Sequence, residues 1–210
     1  GFLTSFLPKG TTRFDLATGK MESVDMAPGR RYTRRGKPYF RRFPWINAVT
    51  DGKTAYVSAH QWGSLYSHTE LYTFQPGDWP NIDVKPFAPI DSKGRIVYTR
   101  SLSLTRDGKW LIIAGKCMGE RFKPGQFDGI WVIDTATRKS QLVADITGLL
   151  KKSFKDDDIG PYANHYSGTN AVSKDGWIYV GVRKMPETFY PHGPDVATDI
   201  RLMAIRVTKD

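Results

Sequence analysis

The residues with the widest chemical range in this chain are its four histidines, His60, His68, His165 and His192. Each lies in a polar segment beside aromatic side chains: Trp62 and Tyr66 lie between His60 and His68, Tyr166 follows His165, and Tyr190 precedes His192. Imidazole exchanges a proton near neutral pH, a phenol returns one to a leaving oxygen, and a guanidinium neutralises a substrate carboxylate. On that chemistry His60 and His165 are candidate general bases, Tyr66 and Tyr166 candidate proton donors, and Arg100 the carboxylate partner. Such a set suits elimination or hydrolysis on an anionic polysaccharide. Trp45 and Trp62 offer faces for stacking sugar rings, and His68, Lys116, Arg121, Arg183, Tyr190 and His192 complete the candidate ligand-binding set. The plainer reading of His60 and His165 is a loop histidine held by hydrogen bonds.

A second concentration of chemistry is RRYTRRGKPYFRR, where Arg30, Arg31, Arg34, Arg35, Lys37, Arg41 and Arg42 alternate with Tyr32, Tyr39 and Phe40. The formal charge of +10 is thus unevenly spread, and an anionic partner is the natural inference. Arg30, Arg31, Arg34, Arg35, Arg41 and Arg42 are candidate partner-binding residues. Phosphates and stacked bases would also suit them, but no nucleic-acid-binding motif accompanies the cluster. A solvated arm is the structural alternative. His60, His68, Glu70, His165 and His192 would have to converge to hold a divalent metal, and no HxH, HExxH or cysteine spacing brings them together in sequence. No cofactor is expected, with a divalent ion left open, and no glycine-rich phosphate loop is present. The single cysteine, Cys117, excludes an intramolecular disulfide within this chain.

The elements that must position these residues follow one plan. The stretch TRDGKWLIIAGKCMGERFKPGQFDGIWVIDTATRKSQLVAD, residues 105–145, holds an Asp-Gly turn, a strand at 110–114, a polar loop, a strand at 129–134, a tight turn and a strand at 140–144. Asp-Gly between short apolar runs marks a hairpin, because glycine reaches positive φ without a Cβ clash. The plan recurs. NAVTDGKTAYV (47–57), SLSLTRDGKWLI (101–112) and NAVSKDGWIYV (170–180) open three units, and TRFDLATGKMESVD (12–25) matches the hairpin IWVIDTATRKSQLV (130–143). Asn47 and Asn170 fall at matching places in this alignment. Self-similarity at this period marks stacked or radial repeats.

DGKTAYV, RDGKWLIIAG, FDLATGK and VIDTATRK resemble the blade phrases of WD40-like and YVTN-type β-propellers. The resemblance covers most of the chain and implies a fold, an all-β propeller of four-stranded blades, but no activity. Calcium-dependent lactonase-type propellers carry a metal-binding Asn before the turn Asp. The corresponding places here are near Trp45, Arg100 and Gly168, none of them a ligand for that ion.

One domain over 1–210 is expected: the end of a blade at 12–25, an Arg-rich connector at 26–44, blades at 45–90 and 98–146, a short helical turn within 147–166, and an incomplete blade at 167–207. That is about three and a half blades, fewer than the smallest propellers use. The chain is therefore expected to be part of a larger ring, completed by a second copy, another subunit or another segment. In a propeller, the loops after the second strand share one face with the connections between blades, and all four histidines map to that face. No run of about 18 apolar residues is present to span a membrane. The opening GFLTSFL lacks the basic region of a signal peptide; an exported form, which is favoured, would already have lost its signal.

Overall fold

A computed structural model describes residues 2–3, 11–24, 29–34, 37–42, 45–60, 69–79, 81–90, 96–118, 127–146, 148–149, 152, 162–163, 170–184 and 199–206. Strands dominate these residues, and the sheets are antiparallel. The first sheet comprises β1 (Phe2–Leu3), β2 (Thr11–Phe14) and β3 (Met21–Val24), in that order. A separate two-stranded ribbon follows, β4 (Gly29–Arg34) with β5 (Lys37–Arg42). The second sheet runs β6 (Trp45–Thr50), β7 (Ala55–His60), β8 (Thr69–Phe74) and β9 (Lys85–Pro86), and the third β10 (Ile96–Leu104), β11 (Trp110–Met118), β12 (Phe127–Asp134) and β13 (Ser140–Asp145). In the fourth, β14 (Tyr162–Ala163) and β15 (Asn170–Val172) both pair with one edge of β16 (Trp177–Lys184), and β17 (Asp199–Arg206) pairs with the other.

The Asp-Gly turns form as their composition demands. Gly52, Gly108 and Gly176 all have positive φ, the region a Cβ disfavours. The loops close through Asp51 N–H to Thr54 O at 3.4 Å, Thr105 N–H to Trp110 O at 3.0 Å, and Ser173 N–H to Trp177 O at 2.9 Å. Each turn is also locked by side chains. Asp51 Oδ1 accepts the Lys53 and Thr54 amides at 2.8 and 2.7 Å. Thr105 Oγ1 donates to Asp107 Oδ1 at 2.7 Å while accepting the Trp110 amide at 3.0 Å. Ser173 Oγ repeats this with Asp175 and Trp177 at 2.5 and 3.0 Å.

The other repeated turn matches residue for residue. Asp134 Oδ1 accepts the amides of Ala136 and Thr137, and Asp15 Oδ1 those of Ala17 and Thr18. Arg138, at φ 60°, stands where Gly19, at φ 69°, stands in the first turn. The Arg138 guanidinium lies 5.8 Å from the Phe87 ring centroid, a cation–π contact that offsets part of the backbone strain.

These closing bonds make Ala55, Leu111 and Ile178 equivalent, and packing agrees with that alignment. On one face of the third sheet, Leu111, Ile113, Trp131 and Ile133 are buried with Tyr56 and Leu71 of the second sheet and with Phe87. Tyr56 and Phe87 meet edge to face at 5.1 Å between centroids. On its other face, Ile112, Ala114, Ile130 and Val132 are buried with Ile178 and Val180 of the fourth sheet. Ala55, Val57, Ala59 and Phe74 form a third cluster on the far face of the second sheet, with Trp79 packed on it. Trp79 Nε1 donates to Glu22 of the first sheet at 2.8 Å. The sheets are thus stacked in chain order, each presenting the same face to its successor.

Several elements differ from the expectation. Residues 26–44 contain a paired ribbon, with Arg31 opposite Phe40 and Thr33 opposite Pro38. Strands β11 and β16 run on to Met118 and Lys184, so Lys116, Cys117 and Arg183 are strand residues and not loop residues. Trp45 and Arg100 lie in β6 and β10. Within 82–87 only Lys85–Pro86 pairs as strand. Residues 146, 148, 149 and 152 are helical, at the start of the expected helical turn. Among the described residues no helix is long and apolar enough to cross a membrane.

Candidate functional site

Each stacked sheet has a turn end, where the Asp-Gly hairpins close, and a loop end. Counting from Ala55, Leu111 and Ile178 along the second strand of each sheet, the same position is reached at His60, Lys116 and Arg183. Their register partners are Thr69, Asp128 and Ile200. Three residues singled out on chemical grounds alone therefore occupy one position in three consecutive sheets, at the loop end. Ala163 of β14 pairs with Arg183, and Tyr98 pairs with Lys116.

Two β-bulges lie beside them. The register of β6 against β7 shifts between Trp45 and Asn47, and that of β10 against β11 between Thr99 and Ser101. The unpaired residues are Ile46 and Arg100, at equivalent places in successive sheets. A bulge bends its strand and re-aims the chain, a device common beside functional sites. Arg100 is brought to the same end of the sheets as His60, Lys116 and Arg183, and Trp45 pairs with Ala59, next to His60.

Immediately inside these bulges lies a feature the sequence reading missed. Ser58 and Ser101 are buried, and Asn47 Nδ2, Ser58 Oγ and Ser101 Oγ have no hydrogen-bond partner among the described residues. Asn47 pairs with Ser58 across β6 and β7, and Ser101 holds the Asn47 position in the next sheet. A buried polar group left unsatisfied costs about 1–3 kcal/mol. The signal in the sequence was a small polar residue inside an apolar run. The proposed match of Asn47 with Asn170 is corrected by register: Asn170 pairs with Val180 and corresponds to Ala48. The turn Ser173–Trp177 is one residue longer than Asp51–Thr54, so an ungapped sequence match sets Asn170 one residue out of register with Asn47.

The ribbon is the second cationic feature. Its register sets Arg30 opposite Arg41, Tyr32 opposite Tyr39 and Arg34 opposite Lys37. Arg31 pairs with Phe40 and Gly29 with Arg42.

Among the described residues, the carboxylates held below their usual range lie at the opposite, turn end. Hydrogen bonds lower Asp51, chiefly from the Thr54 amide, Asp107, chiefly from the Thr105 hydroxyl, and Asp175, chiefly from the Ser173 hydroxyl. Burial is the main cause that raises Tyr56. These groups hold turns together. Tyr66, Trp62, His68, Arg121, His165, Tyr166, Tyr190, His192 and Arg35 lie outside the described residues. Among the described residues no three His, Cys, Asp or Glu side chains gather into a metal-binding group. No protein-family model and no curated protein sequence matches the chain.

Proposed function

We propose that this chain is a β-propeller-type binding subunit whose loop end takes an anionic ligand or the anionic surface of a protein partner. The observation that carries the reading is the coincidence of His60, Lys116 and Arg183 at one register position of three stacked sheets. Arg100, on a bulge at the same end, adds a cation, and the buried atoms Asn47 Nδ2, Ser58 Oγ and Ser101 Oγ add hydrogen-bonding capacity. The ribbon of Arg30, Arg34, Lys37 and Arg41 supplies a second contact of the same sign. Cationic groups on a rigid scaffold attract polyanions at long range, and the attraction weakens with salt.

The test is retention on an immobilised sulfated polysaccharide. The wild-type chain is expected to elute at high salt and the Lys116→Glu/Arg183→Glu variant at clearly lower salt, with thermal unfolding unchanged. An elution position that the double reversal leaves in place would overturn the reading.

The alternative is a lyase or hydrolase acting on an anionic polysaccharide. It is favoured by His60 specifically, since an imidazole at the register position that carries a cation in each of the next two sheets has the composition of a general base and a carboxylate-binding group. An acidic polysaccharide incubated with the wild type would then gain the ultraviolet absorbance of an unsaturated product or new reducing ends. His60→Ala would abolish either signal while leaving polysaccharide retention intact.

A further inference from the structure

The segment 26–44 carries seven cations and no Asp or Glu, and six of the seven are arginine. In the rest of the chain the preference is reversed, with fifteen lysines to nine arginines. Charge alone would be served by either residue. Arginine adds a flat, forked guanidinium that grips two phosphate oxygens at once and stacks on a ring. The same segment interleaves its cations with Tyr32, Tyr39 and Phe40.

The fold turns this composition into a spacing. β4 and β5 form a ribbon of their own, hydrogen-bonded to no other strand among the described residues, and a two-stranded ribbon alone is only marginally stable in water. Its six residue pairs, at about 3.3 Å per residue, give it a length of about 20 Å. Arg30, Arg31, Arg34, Lys37, Arg41 and Arg42 all take part in the register, so a formal positive charge recurs about every 3.3 Å along the ribbon. Phosphates along one nucleic-acid strand recur at about 3.4 Å. Between the cationic pairs Arg30–Arg41 and Arg34–Lys37, the register places Tyr32 with Tyr39 and Phe40 with Arg31. A sulfated polysaccharide or an acidic protein surface offers charge to such a ribbon. A nucleic-acid strand offers charge and a π face at each repeat, and the face is free only where the bases are not stacked in a duplex.

We propose that the ribbon β4–β5 binds single-stranded nucleic acid, with its cations on the phosphates and its aromatic residues stacking on the bases. No nucleic-acid-binding sequence motif is present, and the assignment stands on the spacing of charge and rings. Binding of this kind tracks the backbone and tolerates any base sequence, because every base has a π face. It is independent of whatever the loop end takes.

The experiment is fluorescence anisotropy of labelled oligo(U) and oligo(dT), each of about 16 nucleotides, titrated with the wild-type chain at salt from about 50 to 200 mM. Six phosphate contacts give log K against log salt a slope of about −4, a loss of about 300-fold over that range. Arg30→Glu/Arg41→Glu should weaken binding by at least about tenfold and bring the slope to about −3. If that variant does not fold, Arg30→Gln/Arg41→Gln removes the same two charges. Tyr32→Ala/Tyr39→Ala should weaken binding by about tenfold or more at an unchanged slope, because stacking releases no counterions. Tyr32→Phe/Tyr39→Phe keeps the rings and should bind as the wild type does. The tighter of the two oligonucleotides names RNA or DNA as the source.

No binding at the lowest salt overturns the proposal, as does binding indifferent to the charge reversal. A tyrosine-to-alanine variant that binds like the wild type marks a general polyanion surface and overturns it too. So does a duplex of the same length bound more tightly than the single strand. The Lys116→Glu/Arg183→Glu variant should keep its oligonucleotide binding while eluting early from the polysaccharide. Oligonucleotide binding lost in that variant and kept in the ribbon variants would belong to the loop end, and this proposal would fail while the loop-end reading stood. Unchanged polysaccharide elution, with oligonucleotide binding that follows the ribbon variants, does the reverse.

Discussion

The third and fourth sheets are built by the same local rules and end in different situations. Their opening turns are locked by the same bonds, Thr105 to Asp107 and Trp110 in one, Ser173 to Asp175 and Trp177 in the other. Their second strands carry the equivalent Leu111, Ile112, Ile113 and Ile178, Tyr179, Val180. Yet the third sheet is covered on both faces, with Leu111, Ile113 and Ile133 on one side and Ile112 and Ile130 on the other all buried, while in the fourth the buried side chains among the described residues, Ile178 and Val180, lie on one side. A sheet needs only its own turns and ladder to form. Its share of the core depends on what lies next to it, and burying a Leu-sized side chain is worth about 1.5–3 kcal/mol.

That contrast is most exposed by substitutions that cost much in the third sheet and little in the fourth. Trp131→Ala removes a ring buried between the second and third sheets, and about 3–5 kcal/mol of stability is expected to go with it; denaturant midpoints measure the loss. Gly129→Ala is next. A Cβ there would come within 2.9 Å of Leu142 Cδ1 and of the Trp131 ring, overpacking that costs about 1–3 kcal/mol.

The turns should not distinguish the two sheets. Gly108→Ala and Gly176→Ala each force a Cβ into positive φ, and both are expected to lose about 1–2 kcal/mol. Unequal losses would show that the matching bonds conceal different strain.

A smaller effect lies in acid. Asp107 and Asp175 are held below the carboxylate value of 3.8 by a neighbouring hydroxyl. Their folded values are depressed, so they stabilise the fold above that pH, and the contribution disappears as pH falls through the lowered values. The melting temperature of the wild type should therefore drop more steeply below about pH 3.8 than that of Asp107→Asn/Asp175→Asn, with both sites contributing. Last, Leu202→Ala should change stability by no more than about 0.5 kcal/mol, against about 2–5 kcal/mol for its buried equivalent Ile130→Ala.

Much of the local structure was legible because its causes are local. Asp-Gly in three runs and Asp-x-Ala-Thr in two specify turns through positive φ and carboxylate-to-amide bonds spanning two or three residues. The alternation of Val, Ile and Leu fixes where the strands lie. Strand ends were harder, since Lys116, Cys117 and Arg183 read as loop by polarity, whereas pairing with Tyr98, Val97 and Ala163 keeps them in the ladder. The bulges at Ile46 and Arg100 have no composition signal of their own. The Arg-rich ribbon was read for its charge, and only register revealed that Arg30 pairs with Arg41.

By itself, then, the sequence determined an all-β chain of repeated antiparallel units and the turn that opens each one. It also marked His60, Lys116, Arg183 and Arg100 as chemically capable. Only the tertiary structure decided that the first three share one position at one end of the stack, and that Leu71 and Ile130 are covered while Leu202 is not. Turns are set by contacts two to five residues apart, which a sequence displays directly. Burial is set by a neighbouring sheet dozens of residues away, and three leucine-like residues in matching strands carry no mark of whether that neighbour is there.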